Sequence, residues 1–203
     1  SKAKSLDEAN KIGKNIQDSI NNFYKKLIKK EYNRESFLDL SYDKCFVKLL
    51  MPKLRGKEGG AKKRYAGLVI KNGKEEIQFT GLEFVRGDWT ELAKKYQYEL
   101  LDKIFHNKDV VDYTKTFVKD IKKGKYDELL VYKKNIRKEL VFYVKSTPPH
   151  VKAARKLKSL DSSKIEYIIT EDGPEPLGHV KHKIDYKHYI EKLSFLCNEL
   201  SLY

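Results

Sequence analysis

Three short segments of the chain bring several cationic side chains together. They are residues 62–67 (KKRYAG), 131–138 (VYKKNIRK) and 148–156 (PPHVKAARK). Ammonium and guanidinium groups neutralise phosphates, and a fixed tyrosine can hydrogen-bond to or pack against a sugar. In the third segment the two prolines suit the first turn of a helix, whose free N–H groups can also hold a phosphate. The chemistry that these segments predict is phosphate binding.

Each segment also has a simpler interpretation. A charged edge strand that blocks aggregation would account for residues 62–67, and a solvated charge run would account for residues 131–138. The 43 basic and 29 acidic residues give a net charge of +14, which favours a polyanionic partner, nucleic acid before membrane. Lysine could equally be the favoured surface residue of the genome. Charge alone therefore leaves both interpretations open.

The remaining reactive side chains predict no catalytic or metal-binding residue. Cys45 and Cys197 lie far apart in apolar surroundings, which is typical of reduced core thiols and not of a zinc site. Asp39 and Asp43 share one face of a predicted strand, as carboxylates do on any solvated strand. The other candidates for metal or acid–base chemistry are interpreted as solvated histidines: His106, His179, His182 and His188. The sequence has no glycine-rich phosphate loop, nucleophile elbow or zinc pattern.

The first half of the chain predicts a helix on an antiparallel sheet. Ser5 and Glu8 have capping-box spacing at the start of an apolar stripe that runs to about residue 30, and Asn33 ends it. Residues 37–50 are rich in aromatic and branched side chains and predict a partly buried strand. Residues 65–70 and 75–80 flank Asn-Gly, which predicts a hairpin with a type I′ turn.

The second half of the chain predicts mainly helices. One begins with Asp88 and Glu91 at capping-box spacing, one spans residues 109–123 before Gly124, and one covers residues 150–159. A strand at residues 165–170 precedes a last helix, which Asp185 caps and which extends toward residue 200. Hydrophobic residues form 40% of the chain, enough for a packed core, but no apolar run approaches a membrane span. The N-terminus lacks a secretory signal, so we expect a cytoplasmic protein.

The order of three motifs resembles the end of a family B DNA polymerase, most closely the bacterial DNA polymerase II type. The motifs are KKRYAG at 62–67, GLEFVRGDW at 81–89 and PPHVKAAR at 148–155. The DGPEP turn at 172–176 also looks like that family, and the resemblance spans roughly residues 6 to 193. It implies an α+β fold with the C-terminal part of the palm at residues 1–92, a helix on a palm sheet remnant, and a mainly helical thumb at residues 93–203.

The resemblance also implies which residues hold primer–template DNA. The first motif would grip the duplex near the primer end, partly from its minor groove, and two thumb segments would follow the duplex backbone. Such contacts carry little base information, which suits an enzyme that accepts any sequence. The implied DNA-binding residues are Lys62, Lys63, Arg64 and Tyr65 in the palm, and Lys133, Lys134, Arg137, His150, Lys152 and Arg155 in the thumb.

The family's catalytic aspartates do not occur in this sequence. They lie in a Tyr-Gly-Asp-Thr-Asp motif and in an earlier one, and both precede the matching segment. The resemblance therefore implies a part that binds DNA but is inactive by itself, while the parent chain performs template-directed nucleotidyl transfer with Mg²⁺. Three features depart from the family: residues 39–41 read Asp-Leu-Ser where Glu-Leu-Glu is usual, Glu139 replaces a common proline, and the chain ends early after its last helix.

The implied partners are primer–template DNA, the remainder of the polymerase chain and, as a further candidate, a sliding clamp, although no convincing clamp peptide is present. The implied place is the bacterial nucleoid, in DNA replication or repair, and no membrane is involved. Two alternatives compete with this interpretation. One is a stand-alone basic nucleic-acid-binding protein, with RNA as a candidate ligand. The other is an interaction module whose charge only keeps it in solution.

Overall fold

The computed structural model describes residues 3–52, 63–144, 147–159 and 162–199. These ranges contain α-helices and two small antiparallel sheets, ordered β1-β2-β3 and β4-β5-β6, which confirms the predicted α+β class. The elements in chain order are α1 (Leu6–Tyr32), β1 (Lys48–Leu50), β2 (Tyr65–Lys71), β3 (Lys74–Thr80), α2 (Glu91–Phe105), α3 (Val111–Lys122), β4 (Tyr132–Asn135), α4 (Pro149–Arg155), β5 (Lys164–Thr170), β6 (Gly173–Pro176) and α5 (Tyr186–Glu199), with short 3-10 helices at Glu83–Val85, Asp127–Leu129 and Leu140–Phe142.

The chain divides into two compact units. Unit 1 comprises residues 1–49 and 67–78, and unit 2 comprises residues 50–66 and 79–203. The boundary expected near residue 92 refers to the palm and thumb of a longer family member, and it stays a prediction. Among the described residues, no helix combines the length and the apolar character that crossing a membrane requires.

The ends of α1 lie where the local sequence predicts them. Ser5 Oγ accepts a hydrogen bond from the backbone N–H of Glu8 at 3.2 Å, and the Lys4 N–H donates to Glu8 Oε2 at 2.7 Å. Asn33 closes the helix with φ of 49° and donates its N–H to the Lys29 carbonyl. None of the residues of α1 is buried. Its apolar stripe therefore contributes little to the core of unit 1.

The predicted strand at residues 37–50 is wrong except at Lys48–Leu50. Side-chain amides of α1 bind the backbone that a neighbouring strand would otherwise bind. Asn21 Oδ1 accepts from Leu40 N–H at 2.8 Å, Asn21 Nδ2 donates to the Leu40 carbonyl at 3.0 Å, and Gln17 Oε1 accepts from Tyr42 N–H at 2.6 Å. Because these backbone groups are satisfied by α1, residues 39–42 lie outside both sheets.

The predicted hairpin is confirmed. Asn72 and Gly73 both have positive φ, 52° and 73°, as a type I′ turn requires, and they join β2 to β3. Gly67 within β2 has a packing role that the sequence did not show. A Cβ atom at this position would overlap the aromatic ring of Phe46. The small size of residue 67 is therefore used by the protein's own side chain.

Replacing Gly67 with alanine is expected to lower the free energy of unfolding by about 1–3 kcal/mol, because an added methyl group overpacks a buried site. Urea unfolding followed by circular dichroism measures this change. Gly87→Ala is the matched control, since a Cβ atom there meets no atom within 4 Å. Equal stability of the two variants would contradict the packing role of Gly67.

The start of α2 corrects the predicted cap. Thr90 is the N-cap residue, and its Oγ1 accepts from the Ala93 N–H at 3.3 Å. Asp88 instead binds the guanidinium of Arg86, with oxygen–nitrogen distances of 2.9 and 2.7 Å. The helix predicted at 109–123 is confirmed as α3, followed by Gly124 with φ of 78°. Both threonine and aspartate are good N-cap residues, so the local sequence did not distinguish them.

The core of unit 2 lies among α2, α3 and α5. Tyr96 is fully buried there, and its hydroxyl lies 3.0 Å from Thr114 Oγ1 and 2.9 Å from Cys197 Sγ. Cys197 is a buried free thiol and Cys45 a partly buried one, as the apolar surroundings of both predicted. Other buried members of this core are Leu92, Leu100, Leu101, Phe105, Phe117, Ile121, Tyr189, Leu193 and Leu196.

The second sheet was only partly predicted. The strand expected at 165–170 is β5, but β4 and β6, which pair with it on either side, were not predicted as strands. The helix expected at 150–159 ends at Arg155, and its Ala153 and Ala154 pack against Ile165 and Tyr167 of β5. The predicted cap of α5 is confirmed, since Asp185 Oδ1 accepts from the His188 N–H at 3.0 Å.

Candidate nucleic-acid interface

Unit 2 contains a cleft of about 840 Å³, here called the basic cleft, that collects residues from distant parts of the sequence. Four of the predicted DNA-binding residues line it: Lys133, Lys134, Arg137 and His150. Residues that the sequence did not predict also line it: Gly87, Trp89, Glu91, Lys94, Val131, Asn135, Tyr143 and Lys164. The structure thus brings the second cationic segment together with His150 of the third.

Strand pairing explains how Lys164 reaches the basic cleft. In the antiparallel register of β4 and β5, Asn135 lies opposite Lys164, and Lys133 lies opposite Glu166. The Lys133 ammonium contacts the Glu166 carboxylate across the pair at 3.0 Å. Sequence reasoning missed Lys164 because it did not recognise β4 as the strand that pairs with β5.

The charge of the basic cleft is strongly positive. Its lining has five lysine and arginine side chains and one carboxylate, Glu91, a formal difference of four positive charges. Glu91 lies 2.8 Å from the Lys94 ammonium, and Asp88 lies 3.9 Å from that of Lys134. Hydrogen bonds from Arg86 lower the pKa of Asp88, and the charge of Lys134 lowers it further. The surplus of cations suits a polyanionic ligand.

His150 differs from the other predicted residues of the cleft. Burial lowers the pKa of its imidazole, and the nearby Lys134 ammonium lowers it further. Both effects favour the neutral form of the ring. It packs edge-on against Tyr143, with ring centroids 6.3 Å apart. A neutral imidazole can still hydrogen-bond to a phosphate or a sugar.

Arg155 and Lys152 are not among the residues that line the basic cleft. The Arg155 guanidinium donates to the carbonyls of Leu140 and Tyr143 at 3.0 and 3.2 Å, and so supports the segment that carries Tyr143. Lys152 is exposed on α4. The helix α4 has only seven residues, and phosphate binding by the N–H groups at its start stays a prediction. Phosphate contacts of Arg155 and Lys152 stay predictions.

The first cationic segment is only partly described, since Lys62 lies outside the described residues. Lys63 is exposed, and Tyr65, which begins β2, is partly exposed. The Arg64 side chain is directed inward. Its Nη2 donates to Glu83 Oε1 at 2.5 Å, and the Glu83 side chain is buried. Arg64 is therefore paired with a buried carboxylate, whereas Lys63 is exposed.

A second group of charged residues lies on β6 and the loop after it. Glu175 is 2% exposed, and its carboxylate accepts from the Lys181 N–H at 2.8 Å and from His182 Nδ1 at 2.6 Å. Burial alone would raise the pKa of Glu175, but these bonds and that from Lys156 lower it to about 2. The Lys156 ammonium also contacts Asp172 at 3.0 Å. The same ammonium lies 3.4 Å from Glu175, so a cation of the protein itself already contacts both carboxylates.

Of the histidines interpreted as solvated, His182 is exposed as expected, whereas His188 is only partly exposed. His182 binds the buried Glu175, and His188 is half-buried with its Nε2 3.1 Å from the Tyr132 hydroxyl. The two carboxylates weighed for metal binding have other contacts. Asp39 Oδ1 accepts from Asn21 Nδ2 at 3.2 Å, and Asp43 lies 3.1 Å from the Lys44 ammonium. These contacts explain the four side chains structurally.

A mixed α/β chain that gathers cations from α2, β4 and β5 in one cleft has the features of a polyanion-binding protein. Comparison with known proteins identifies the family. The chain belongs to DNA polymerase family B, whose sequence model matches residues 1–195.

Individual relatives agree with this assignment. DNA polymerase II of Escherichia coli K12 is 37% identical over 201 residues, which cover 94% of this chain and 26% of the relative. DNA polymerase 2 of Aeropyrum pernix is 30% identical over 172 residues, 76% of this chain and 20% of the relative. The solved structure of the family B DNA polymerase from Pyrobaculum calidifontis superposes with a TM-score of 0.58 at 28% identity, covering 86% of this chain and 23% of that one. The chain thus spans about a quarter of the length of these polymerases.

Proposed function

We propose that this chain is the duplex-binding palm and thumb part of a family B DNA-directed DNA polymerase, and that it holds primer–template DNA without sequence preference. The observation that carries the proposal is the basic cleft. Lys134 and Arg137 from the strand β4 region and Lys164 from β5 meet there beside Trp89, in a chain of DNA polymerase family B. Cations on different elements can neutralise successive phosphates of one backbone.

The absence of sequence preference follows from the side chains in the cleft. Lysine and arginine contacts to phosphate fix the register of a duplex but do not read its bases. The exposed Lys63 and the partly exposed Tyr65 offer a second point of contact, at the start of β2. A polymerase needs this kind of grip, because it must hold every sequence that it copies.

Nucleotidyl transfer with Mg²⁺ is assigned to residues of the family outside this chain. Two-metal phosphoryl transfer requires carboxylates fixed around the ions. The Tyr-Gly-Asp-Thr-Asp motif is absent from the sequence, and among the described residues the grouped carboxylates Asp172 and Glu175 bind Lys156. We therefore expect the isolated chain to bind a primer–template without extending it.

Unit 1 offers a surface for the remainder of the polymerase. More than half of the large hydrophobic side chains that the described structure exposes belong to unit 1, although it is the smaller unit. Ile16, Phe23 and Leu27 form a continuous stripe on α1 at helical spacing, with Phe23 59% exposed. Large apolar patches mark interaction sites. Since the relatives are about four times longer than this chain, we propose that the stripe packs on the missing part of the family sequence.

The proposed duplex binding is tested by titrating the chain into fluorescein-labelled primer–template DNA at several salt concentrations. If about six phosphates are neutralised, the logarithm of the affinity should fall with log salt with a slope of about −5. Single-stranded DNA and duplex RNA serve as comparison ligands, and both should bind more weakly. Affinity that does not depend on salt would contradict the proposal, and equal binding to all three would favour a merely lysine-rich surface.

A further inference from the structure

A buried polar network connects the first cationic segment to α2. Glu83 lies in the 3-10 helix Glu83–Val85 and is 2% exposed. One of its carboxylate oxygens, Oε1, accepts from Arg64 Nη2 at 2.5 Å, and the other, Oε2, accepts from Gln97 Nε2 at 3.0 Å. Gln97 is 1% exposed, and its Oε1 accepts from the Phe84 N–H at 2.7 Å. Both oxygens of Glu83 are thus bound to named partners.

The backbone provides an independent connection at the same place. Gly81 has φ of 62°, a conformation that favours glycine, and a Cβ atom on it would overlap the carbonyl oxygen of Lys63. The turn at Gly81 therefore packs directly against the backbone of Lys63. Together with the Arg64–Glu83 ion pair, this contact ties residues 63–64 to residues 81–83 twice.

The same connecting segment continues to the basic cleft. Arg86 binds Asp88 through two nitrogens, and the Asp88 carboxylate lies 3.9 Å from the ammonium of Lys134. Gly87 and Trp89 are part of the cleft lining. Residues 81–89 therefore join the first cationic segment at one end to the basic cleft at the other, with Gln97 of α2 fixing the middle.

The network is better explained by the position that it gives to Arg64 than by the stability that it adds. Removing the Glu83 carboxylate from water is costly, and a buried ion pair often stabilises a protein no more than apolar residues of similar volume would. What a paired and hydrogen-bonded buried carboxylate does supply is a defined position for its partner. Here the partner is Arg64, which lies between Lys63 and Tyr65 in the chain.

We infer that Glu83, supported by Gln97, is a positioning residue for duplex binding: it anchors Arg64 and so places Lys63 and Tyr65 in fixed register with the basic cleft. Arg64 acts in this arrangement as the anchor and not as a phosphate ligand. The inference rests on the proposed duplex binding and assigns a role in it to a buried carboxylate, which by its charge would oppose DNA binding.

That opposition of sign provides the test. Glu83→Gln removes a negative charge. If Glu83 has no positioning role, the variant chain should therefore bind duplex more tightly than the unchanged chain. If Glu83 positions Lys63 and Tyr65, the variant should bind more weakly, and we expect about a tenfold loss of affinity with a slope of log affinity against log salt that is less negative by about 0.9, the value of one phosphate contact. Glu91→Gln is the matched control, because it removes the same charge from the cleft lining and is expected to strengthen binding a few-fold.

A second variant tests the inference if Glu83→Gln does not fold. Glu83→Asp keeps the charge and shortens the side chain by one methylene, so that it reaches Arg64 less well. It should also weaken duplex binding, whereas a purely electrostatic role predicts the affinity of the unchanged chain. Circular dichroism and thermal unfolding confirm that each variant compared is folded at the assay temperature.

Hydrogen exchange separates this inference from the proposed function. Backbone amides of residues 63–66 should exchange faster in both Glu83 variants than in the unchanged chain, with or without DNA. Faster exchange together with weaker duplex binding supports the inference. Faster exchange with unchanged or tighter binding overturns it, as does unchanged exchange. Failure of the unchanged chain to bind duplex would instead contradict the proposed function, and exchange would still decide whether Glu83 holds the segment.

Discussion

Replacing Lys134 and Arg137 together with glutamine is expected to weaken binding of primer–template duplex about 50- to 100-fold near 0.1 M salt. Each phosphate contact contributes about 0.9 to the slope of log affinity against log salt. Lowering the salt concentration from 1 M to 0.1 M therefore gains about 0.9 log unit of affinity per contact. Loss of two contacts removes about 1.8 log units of affinity at 0.1 M salt. The slope should become less negative by the same amount, which fluorescence anisotropy at four or more salt concentrations measures.

The control for this double variant removes the same charge elsewhere in unit 2. Lys122 at the end of α3 and Lys187 on α5 are not among the residues that line the basic cleft. Their replacement with glutamine should weaken binding less than about threefold, because both are exposed and a charge that does not touch the ligand is screened by salt. Equal losses in the two double variants would contradict a localised site and favour the lysine-rich surface as the explanation of the net charge.

Features that depend on neighbouring residues were predictable from the sequence. The start of α1 needs only Ser5 and Glu8, and the hairpin needs only Asn72 and Gly73 between two extended runs. The same holds for Asp185 at the start of α5. In each case the hydrogen-bonding partners, or the residues that adopt the required φ, lie within four positions of one another. The local residue types are therefore enough to predict the cap or the turn.

Features that depend on distant partners were not predictable in the same way. Residues 39–42 have the composition of a strand, but Asn21 and Gln17 of α1 bind their backbone. Residues 132–135 were interpreted as part of a phosphate-binding segment or a charge run and not as strand β4, because the partner strand β5 lies about thirty residues further along the chain. Lys164 of the basic cleft was missed for this reason, and Lys94 was missed because it lies on α2, outside the three cationic segments. Alternation of apolar and charged residues around β4 was too short to indicate a strand.

One residue of the sequence, Glu83, indicates that Arg64 differs from the lysines beside it. Residues 62–64 are three consecutive cations, and nothing in that run shows which of them points inward. The informative residue is Glu83, a carboxylate among Leu82, Phe84 and Val85. A carboxylate in an apolar run is expected to be buried only with a cationic or hydrogen-bonding partner, which directs attention to a nearby arginine.

The chain alone is expected to show no primer extension, and extension should appear when it is mixed with the part of Escherichia coli DNA polymerase II that lies outside the matched region. The physical reason is the exposed stripe of α1, whose burial on the remaining family sequence would supply the association energy. Sedimentation velocity should show a one-to-one complex, and a labelled primer–template with Mg²⁺ and nucleotides measures extension.

Ile16→Lys combined with Phe23→Lys tests whether the stripe is the contact. Losing two buried apolar side chains at about 1.5–3 kcal/mol each, and placing ammonium groups in the interface, should weaken association at least about 100-fold. Val141→Lys with Val144→Lys makes the same chemical change at two exposed valines of unit 2 and should leave association unchanged. Concentration-dependent self-association of the unchanged chain, abolished by the α1 variant, would instead assign the stripe to a second copy. Association that survives the α1 variant would place the contact elsewhere, because no apolar helix face tolerates two buried ammonium groups without loss of affinity.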